Sequence, residues 1–218
     1  MSQGGDREGC FSWAESPQRR KETMLMHGRG QSDGECIMRD TGIDAAGEVP
    51  WGTHLCQFYR TKDEILEVAV PYFRQGLLRN ECCVWIVPKT LNVDAAKKSL
   101  KAVVPDLDAR IANGQIEIID RSDRGSSRGG GARLRDWSDR EKLALRLGYD
   151  GLRLGGEVFS SCDAAKGRMA HERAVGDFVC EHRILAMSVY AMDHQSAGEL
   201  VAAIGQHALT LIKQADAW

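Results

Sequence analysis

No phosphate loop follows the first strand of this chain. A Walker A motif sets Gly-x-x-x-x-Gly-Lys-Ser/Thr between strand and helix, so that backbone N–H groups and a lysine hold phosphates. Here Gly52-Thr53-His54-Leu55-Cys56-Gln57-Phe58-Tyr59 runs into Arg60-Thr61-Lys62-Asp63, with no glycine in the connection. No apolar run is long enough to span a bilayer. Met1 to Arg20 is polar and lacks the apolar stretch of a signal peptide. A net charge of -2 over 218 residues gives no global pull towards nucleic acid or an anionic membrane. The seven cysteines are odd in number and irregularly spaced, and read as reduced thiols of a cytoplasmic protein. An ordered Ser/His/Asp set and kinase signatures are missing, so the expectation is a protein that is not an enzyme and needs no cofactor.

What is present reads as one α/β domain behind a tail. Residues 1 to about 48 are rich in Gly, Ser, Arg, Asp and Glu without sustained periodicity, which reads as a disordered polar tail over 1–48 and a domain over 49–218. A strand at Thr53–Tyr59 leads into a helix whose apolar face is Ile65, Leu66, Val68, Ala69, Phe73 and Leu77, with Pro71 expected to kink or end it. The strand Cys82–Val87 is apolar throughout, as suits a parallel strand covered on both faces. Helices over Ala95–Val104 and Asp106–Ala112 and a strand over Gln115–Asp120 follow. After the Arg/Gly-rich loop 121–133 come a helix Arg133–Leu147, a strand Gly151–Gly155, a helix Ala164–Cys180, a strand Arg183–Met192 and a closing helix Ala197–Lys213 capped by Ser196. This strict alternation calls for a parallel, doubly wound sheet with helices on both faces.

Open parallel sheets bind ligands at the carboxyl ends of their strands. Those ends place Tyr59, Arg60, Pro88, Glu157 and Asp193 around a candidate small-molecule pocket. Arg153 sits inside an apolar strand and needs a buried carboxylate, for which Glu157 and Glu172 are candidates. Glu81 reads as a cap on the preceding turn. His54 and Cys56, at i and i+2, share one face of their strand. Were Cys82 and Cys83 on the adjacent strand, the four could bind a soft metal, although buried thiols and a hydrogen-bonded core histidine are the commoner outcome. His171, His182 and Cys180 flank Glu172 without the spacing of a helical metal pair, and His207 reads as a packing or surface residue of the last helix.

The blocks His54-Leu55-Cys56-Gln57-Phe58-Tyr59, Gly76-Leu77, Asn80-Glu81-Cys82, Tyr149-Asp150-Gly151-Leu152-Arg153 and Tyr190 resemble the MEDS sensory domain, a family named for methanogen and methylotroph sensory proteins. The resemblance covers roughly residues 50 to 218. It implies a RecA/KaiC-like fold, a ligand-sensing role without ATPase activity, and functional counterparts at Arg153 and Glu172. The family includes a dichloromethane-responsive repressor and sensor histidine kinases. The implied partners are therefore a small molecule and a signalling protein (a histidine kinase, an anti-sigma factor or a repressor), with a homodimer compatible with the reading. The first 48 residues show no helix-turn-helix pattern, so direct nucleic-acid binding is not expected. Two alternatives remain at this stage. One is a degenerate nucleotide-binding protein using Arg60, Lys62 or the Arg-rich loop. The other is a thiol or metal sensor using His54, Cys56, Cys82 and Cys83.

Overall fold

Strand β3 (His54–Tyr59) is buried along its whole length, as its unbroken run of large side chains requires. In the computed structural model, which describes residues 37–120, 130–157, 165–214 and 218, it lies inside a six-stranded sheet of order β5-β4-β6-β7-β3-β8. The partners are β4 (Cys82–Val87), β5 (Ile116–Asp120), β6 (Leu152–Gly156), β7 (Ile184–Ala191) and β8 (Leu209–Ile212), and every pairing is parallel. Helices α1 (Lys62–Leu78), α2 (Val93–Lys101) and α3 (Leu107–Ala112) connect β3 to β4 and β4 to β5. The return path uses α4 (Gly130–Arg146), α5 (Ala165–Val179) and α6 (Ala197–Ile204). The fold is α/β with a doubly wound sheet. No helix among the described residues is long and apolar enough to cross a membrane.

Each face of the sheet has its own core. Leu55, Trp85, Met187 and Leu211 pack with Val68, Tyr72 and Phe73 of α1 on one side. Val84, Ile86, Leu154 and Ala186 pack with Trp137 of α4 and with Val175 and Val179 of α5 on the other. A smaller group, Cys56, Phe58, Tyr190 and Ala203, continues this second face beneath α6. Thr61 caps α1 by accepting from Glu64 N, and Asn92 caps α2 by accepting from Ala95 N at 2.7 Å. Helix α1 runs through Pro71 instead of ending there. The missing N–H leaves only the Glu67 carbonyl without its helical donor, and the helix is held on either side by buried Val68, Tyr72 and Phe73.

Two expectations change. The closing helix stops at Ile204, with Gly205 at its end, and Leu209–Ile212 forms β8 on the outer edge of β3. The alternating Leu209-Thr210-Leu211-Ile212 suits a strand that covers an otherwise open edge. Within the stretch read as a tail, β1 (Met38–Asp40) pairs antiparallel with β2 (Glu48–Pro50). Periodicity cannot reveal this hairpin, because a long-range bond helps to hold it: the Asp40 carboxylate accepts from Gln75 Nε2 at 2.7 Å. Residues 1–36, and the loop as far as residue 129, lie outside the described residues.

Glycine is required at the end of β6. Gly156 has φ +112°, and a Cβ there would stand 1.8 Å from the Ile86 carbonyl oxygen. Gly156→Ala is expected to cost at least about 1–3 kcal/mol from backbone strain alone, read as a fall in the denaturation midpoint.

Candidate functional site

Strand periodicity puts His54, Cys56 and Phe58 on one face of β3. Register aligns Cys56 with Ser188 and Phe58 with Tyr190 on β7, and Cys56 with Thr210 on β8. That face is therefore polar at its amino half and aromatic towards its carboxyl end. Helix α5 crosses it and turns Glu172 inward in line with Val175 and Val179, at spacings of three and seven. The turn after α6 adds His207.

The resulting cluster is buried. His54 is 3% exposed, Glu172 2%, and the His207 side chain 0%. His54 Nε2 lies 3.0 Å from Ser188 Oγ and 3.9 Å from Glu172 Oε2. His207 Nε2 lies 3.5 Å from Glu172 Oε2, and the two imidazoles are 4.2 Å apart between centroids. Cys56 Sγ bonds Thr210 Oγ1 at 3.3 Å. The other nitrogen of His207, Nδ1, donates to the Ala203 carbonyl at 2.7 Å, which aims Nε2 at the carboxylate. No hydrogen bond of ordinary geometry reaches Glu172 Oε2, His207 Nε2 or Tyr190 Oη. Buried polar atoms in native proteins are normally satisfied, and these three face one another, with Glu172 approached by both His207 and Tyr190.

Burial drives the His54 pKa well below its ordinary value, assisted by His207 and His171. Burial also opposes charge on His207, but the approach of Cys56 and Glu172 outweighs it and pushes the pKa up to about 10. Burial, and then the Glu172 carboxylate, keep Tyr190 protonated. The site thus holds one neutral imidazole, one imidazolium and a neutral phenol around Glu172. Serine and carboxylate both approach Nε2 of His54. A nucleophilic triad needs the carboxylate on the opposite nitrogen, so the arrangement suits binding better than acyl transfer.

The residues read from sequence do not converge on one pocket. Tyr59 and Pro88 are buried, and Thr90 Oγ1 donates to Tyr59 Oη at 3.2 Å. Arg60 is exposed and donates to the Lys213 carbonyl at 3.1 Å. Glu157 is half-buried after β6, and Asp193 is exposed after β7. Arg153 and Glu172 lie on opposite faces of the sheet. Arg153 pairs with neither Glu157 nor Glu172: its Nε donates to Glu81 Oε2 at 2.5 Å. The reason is register, since Arg153 aligns with Cys83, two residues beyond Glu81. Glu81 is therefore the buried counter-ion and not a turn cap.

Cys82 and Cys83 do not meet His54 and Cys56. Strands β6 and β7 separate β4 from β3, a gap of roughly 14 Å at about 4.8 Å per strand. Cys82 instead lines a cleft of about 350 Å³ at the β4–β5 margin, with Lys97, Glu117 and Arg140. The histidines near Glu172 also divide. His182 faces Glu141 at 3.8 Å, and Cys180 is exposed. A nucleotide finds little at the start of α1, where Asp63 and Glu64 occupy the first turn that an anion would favour. Glu172 was read only as a candidate partner of Arg153 and through the family resemblance; its spacing from Val175 and Val179 is the local signal that places it inward. His207 was hidden by reading its segment as helix.

Residues 53–208 match the family model described as MEDS: MEthanogen/methylotroph, DcmR Sensory domain. No curated protein matches the chain. Among solved structures, the KaiC-like protein PH0186 from the hyperthermophilic archaeon Pyrococcus horikoshii OT3 is similar, with a TM-score of 0.53 at 13% identity over 72% of this chain and 71% of that one. At this identity the likeness concerns the fold, which is RecA/KaiC-like.

Proposed function

Since the chain belongs to the MEDS family of sensory domains, we propose that it senses a small, uncharged organic molecule in the buried cluster between β3, β7, α5 and α6. The observation that carries this reading is the convergence of Glu172 Oε2, His207 Nε2 and Tyr190 Oη without ordinary hydrogen bonds, beside an apolar group formed by Phe58, Leu200, Ala203 and Met192. A ligand with one polar end and a short apolar body fits that division. Binding is the role, not catalysis. The readout is α6, which carries His207 just beyond its end and exposes Val201 (70%) and Ile204 (41%) at the surface. A ligand that favours one position of α6 alters that surface and hence the contact with a signalling protein such as a histidine kinase, an anti-sigma factor or a repressor.

Thermal shift against short-chain alcohols, ketones and amides tests the reading. A compound that stabilises the wild-type chain should lose about 10-fold in affinity on Tyr190→Phe, the worth of one buried hydrogen bond. A compound that binds Tyr190→Phe and Glu172→Gln as tightly as wild type places the sensing site elsewhere.

A further inference from the structure

His54 Nε2, Glu172 Oε2 and His207 Nε2 are ligand-type atoms that all lie within 4.8 Å of one another. We infer that they form a binding site for one divalent transition-metal ion of the zinc type, an inference that rests on the cluster being where the domain takes its ligand. Two imidazole nitrogens and one carboxylate oxygen are a donor set that zinc accepts with a fourth position left open. At metal bonds of 2.0–2.1 Å, tetrahedral ligand atoms stand about 3.3 Å apart. The separations of 3.5 Å and 3.9 Å from Glu172 Oε2 are therefore close to a loaded geometry, and small rotations of the side chains close the difference.

The surroundings favour a metal over a purely structural cluster. The bond from His207 Nδ1 to the Ala203 carbonyl is the outer-shell contact that fixes a metal-ligating histidine and turns Nε2 inward, where it ligates once its proton has left. Glu172 Oε2 and His207 Nε2 lack ordinary hydrogen bonds, as atoms reserved for an ion would. His54 Nε2 exchanges its contact with Ser188 Oγ for the metal. Both imidazoles ligate as neutral rings, so a proton on His207 passes to solvent as the ion enters, and no redox step is involved. One carboxylate leaves a dipositive ion with net positive charge, and the open position then suits the oxygen of the sensed molecule, or water in its absence. The metal so placed would polarise that oxygen and give the domain its chemical selectivity.

The test uses the full chain stripped with a chelator. Zn²⁺ is titrated by calorimetry, and Co²⁺ by its visible ligand-field absorption. The expected result is one ion per chain, a rise in melting temperature with Zn²⁺, and tetrahedral Co²⁺ bands. Glu172→Gln and His54→Gln should each weaken Zn²⁺ by more than the roughly 10–100-fold typical of losing an outer-shell partner. Cys82→Ala should leave it unchanged. Melting of the metal-free variants shows whether they fold, and His207→Gln stands in for either that does not. Absence of Zn²⁺ binding by the wild-type chain, or binding undiminished in the folded variants, overturns the metal site. If alcohols, ketones or amides still stabilise the metal-free chain in a Tyr190-dependent way, the sensory reading survives that failure; if they do not, both fall together.

Discussion

Arg153→Ala is expected to destabilise the fold by about 3–5 kcal/mol, the range for breaking a buried ion pair from one side. Arg153 is fully buried, and all five of its donors are used. Nε and Nη2 reach the two oxygens of Glu81 at 2.5 Å and 3.1 Å. Nη1 reaches the carbonyls of Thr41 and Tyr72 at 3.1 Å and 2.8 Å, and Nη2 also reaches that of Asp40 at 2.8 Å. The guanidinium stacks 4.6 Å from the Tyr72 ring centroid. One side chain therefore ties the β1–β2 hairpin to α1 and to the sheet. Gly76 makes room for it, since a Cβ there would stand 2.7 Å from Arg153 Cδ. Alanine would leave the Glu81 carboxylate buried with only Arg39 to answer it, at 2.9 Å. Lysine keeps the charge but lacks the planar fork, so Arg153→Lys should recover only part of the loss. Denaturation midpoints read the effect. A loss below about 0.5 kcal/mol, as at an indifferent surface position, would show that the hairpin is held by other means.

The second large effect is expected at Glu172. Glu172→Gln removes the anion facing His207 and should cost about 1.5–3 kcal/mol near neutral pH in the chelator-treated chain, the worth of hydrogen bonds to a charged group. The groups facing His207 are Glu172 from α5, His54 and Cys56 from β3, and Tyr190 from β7. Against the burial that opposes its charge, the contacts with Cys56 and Glu172 push the His207 pKa up to about 10 from the ordinary 6.5. Its protonation therefore stabilises the fold fully below about pH 6.5, and the contribution is lost as pH rises towards 10. His54 works in the opposite direction, because its lowered pKa removes stability as pH falls through the ordinary histidine range. Wild-type stability should thus decline on the alkaline side of neutrality. In Glu172→Gln that decline should shrink, because one of the groups that raise His207 is lost while the Cys56 contact remains. An unchanged alkaline slope would mean that His207 does not carry the proton.

Much of the architecture was legible from local pattern. The apolar runs Cys82–Val87 and Ile184–Ala191 could only be covered parallel strands, and the helices between them imposed right-handed crossovers. Strand order was not legible, because pairing depends on long-range packing. The rarer outcome, a meeting of His54 with Cys82, needed adjacent strands, and the observed order keeps them apart. The hairpin at Met38–Pro50 escaped notice because Arg153 holds it from more than a hundred residues away, a bond that leaves no period in the sequence. The helix-to-strand switch after Gly205 turned on a single glycine followed by alternating β-formers, and missing it hid His207. The site was half visible: His54 and Cys56 announce a shared face, but no spacing tells that Glu172 will cross above it.

The most direct measurement of the central claim is NMR of the histidine ring resonances, together with backbone amides, as a stabilising alcohol, ketone or amide is titrated into the full chain. Saturating shifts are expected at His54 and His207 and at the amides of Ser188 and Tyr190, with Arg60, Glu157 and Asp193 little changed. Shifts concentrated at Arg60, Glu157 and Asp193, with both histidines silent, would contradict that claim and return the sensing site to the carboxyl ends of the strands.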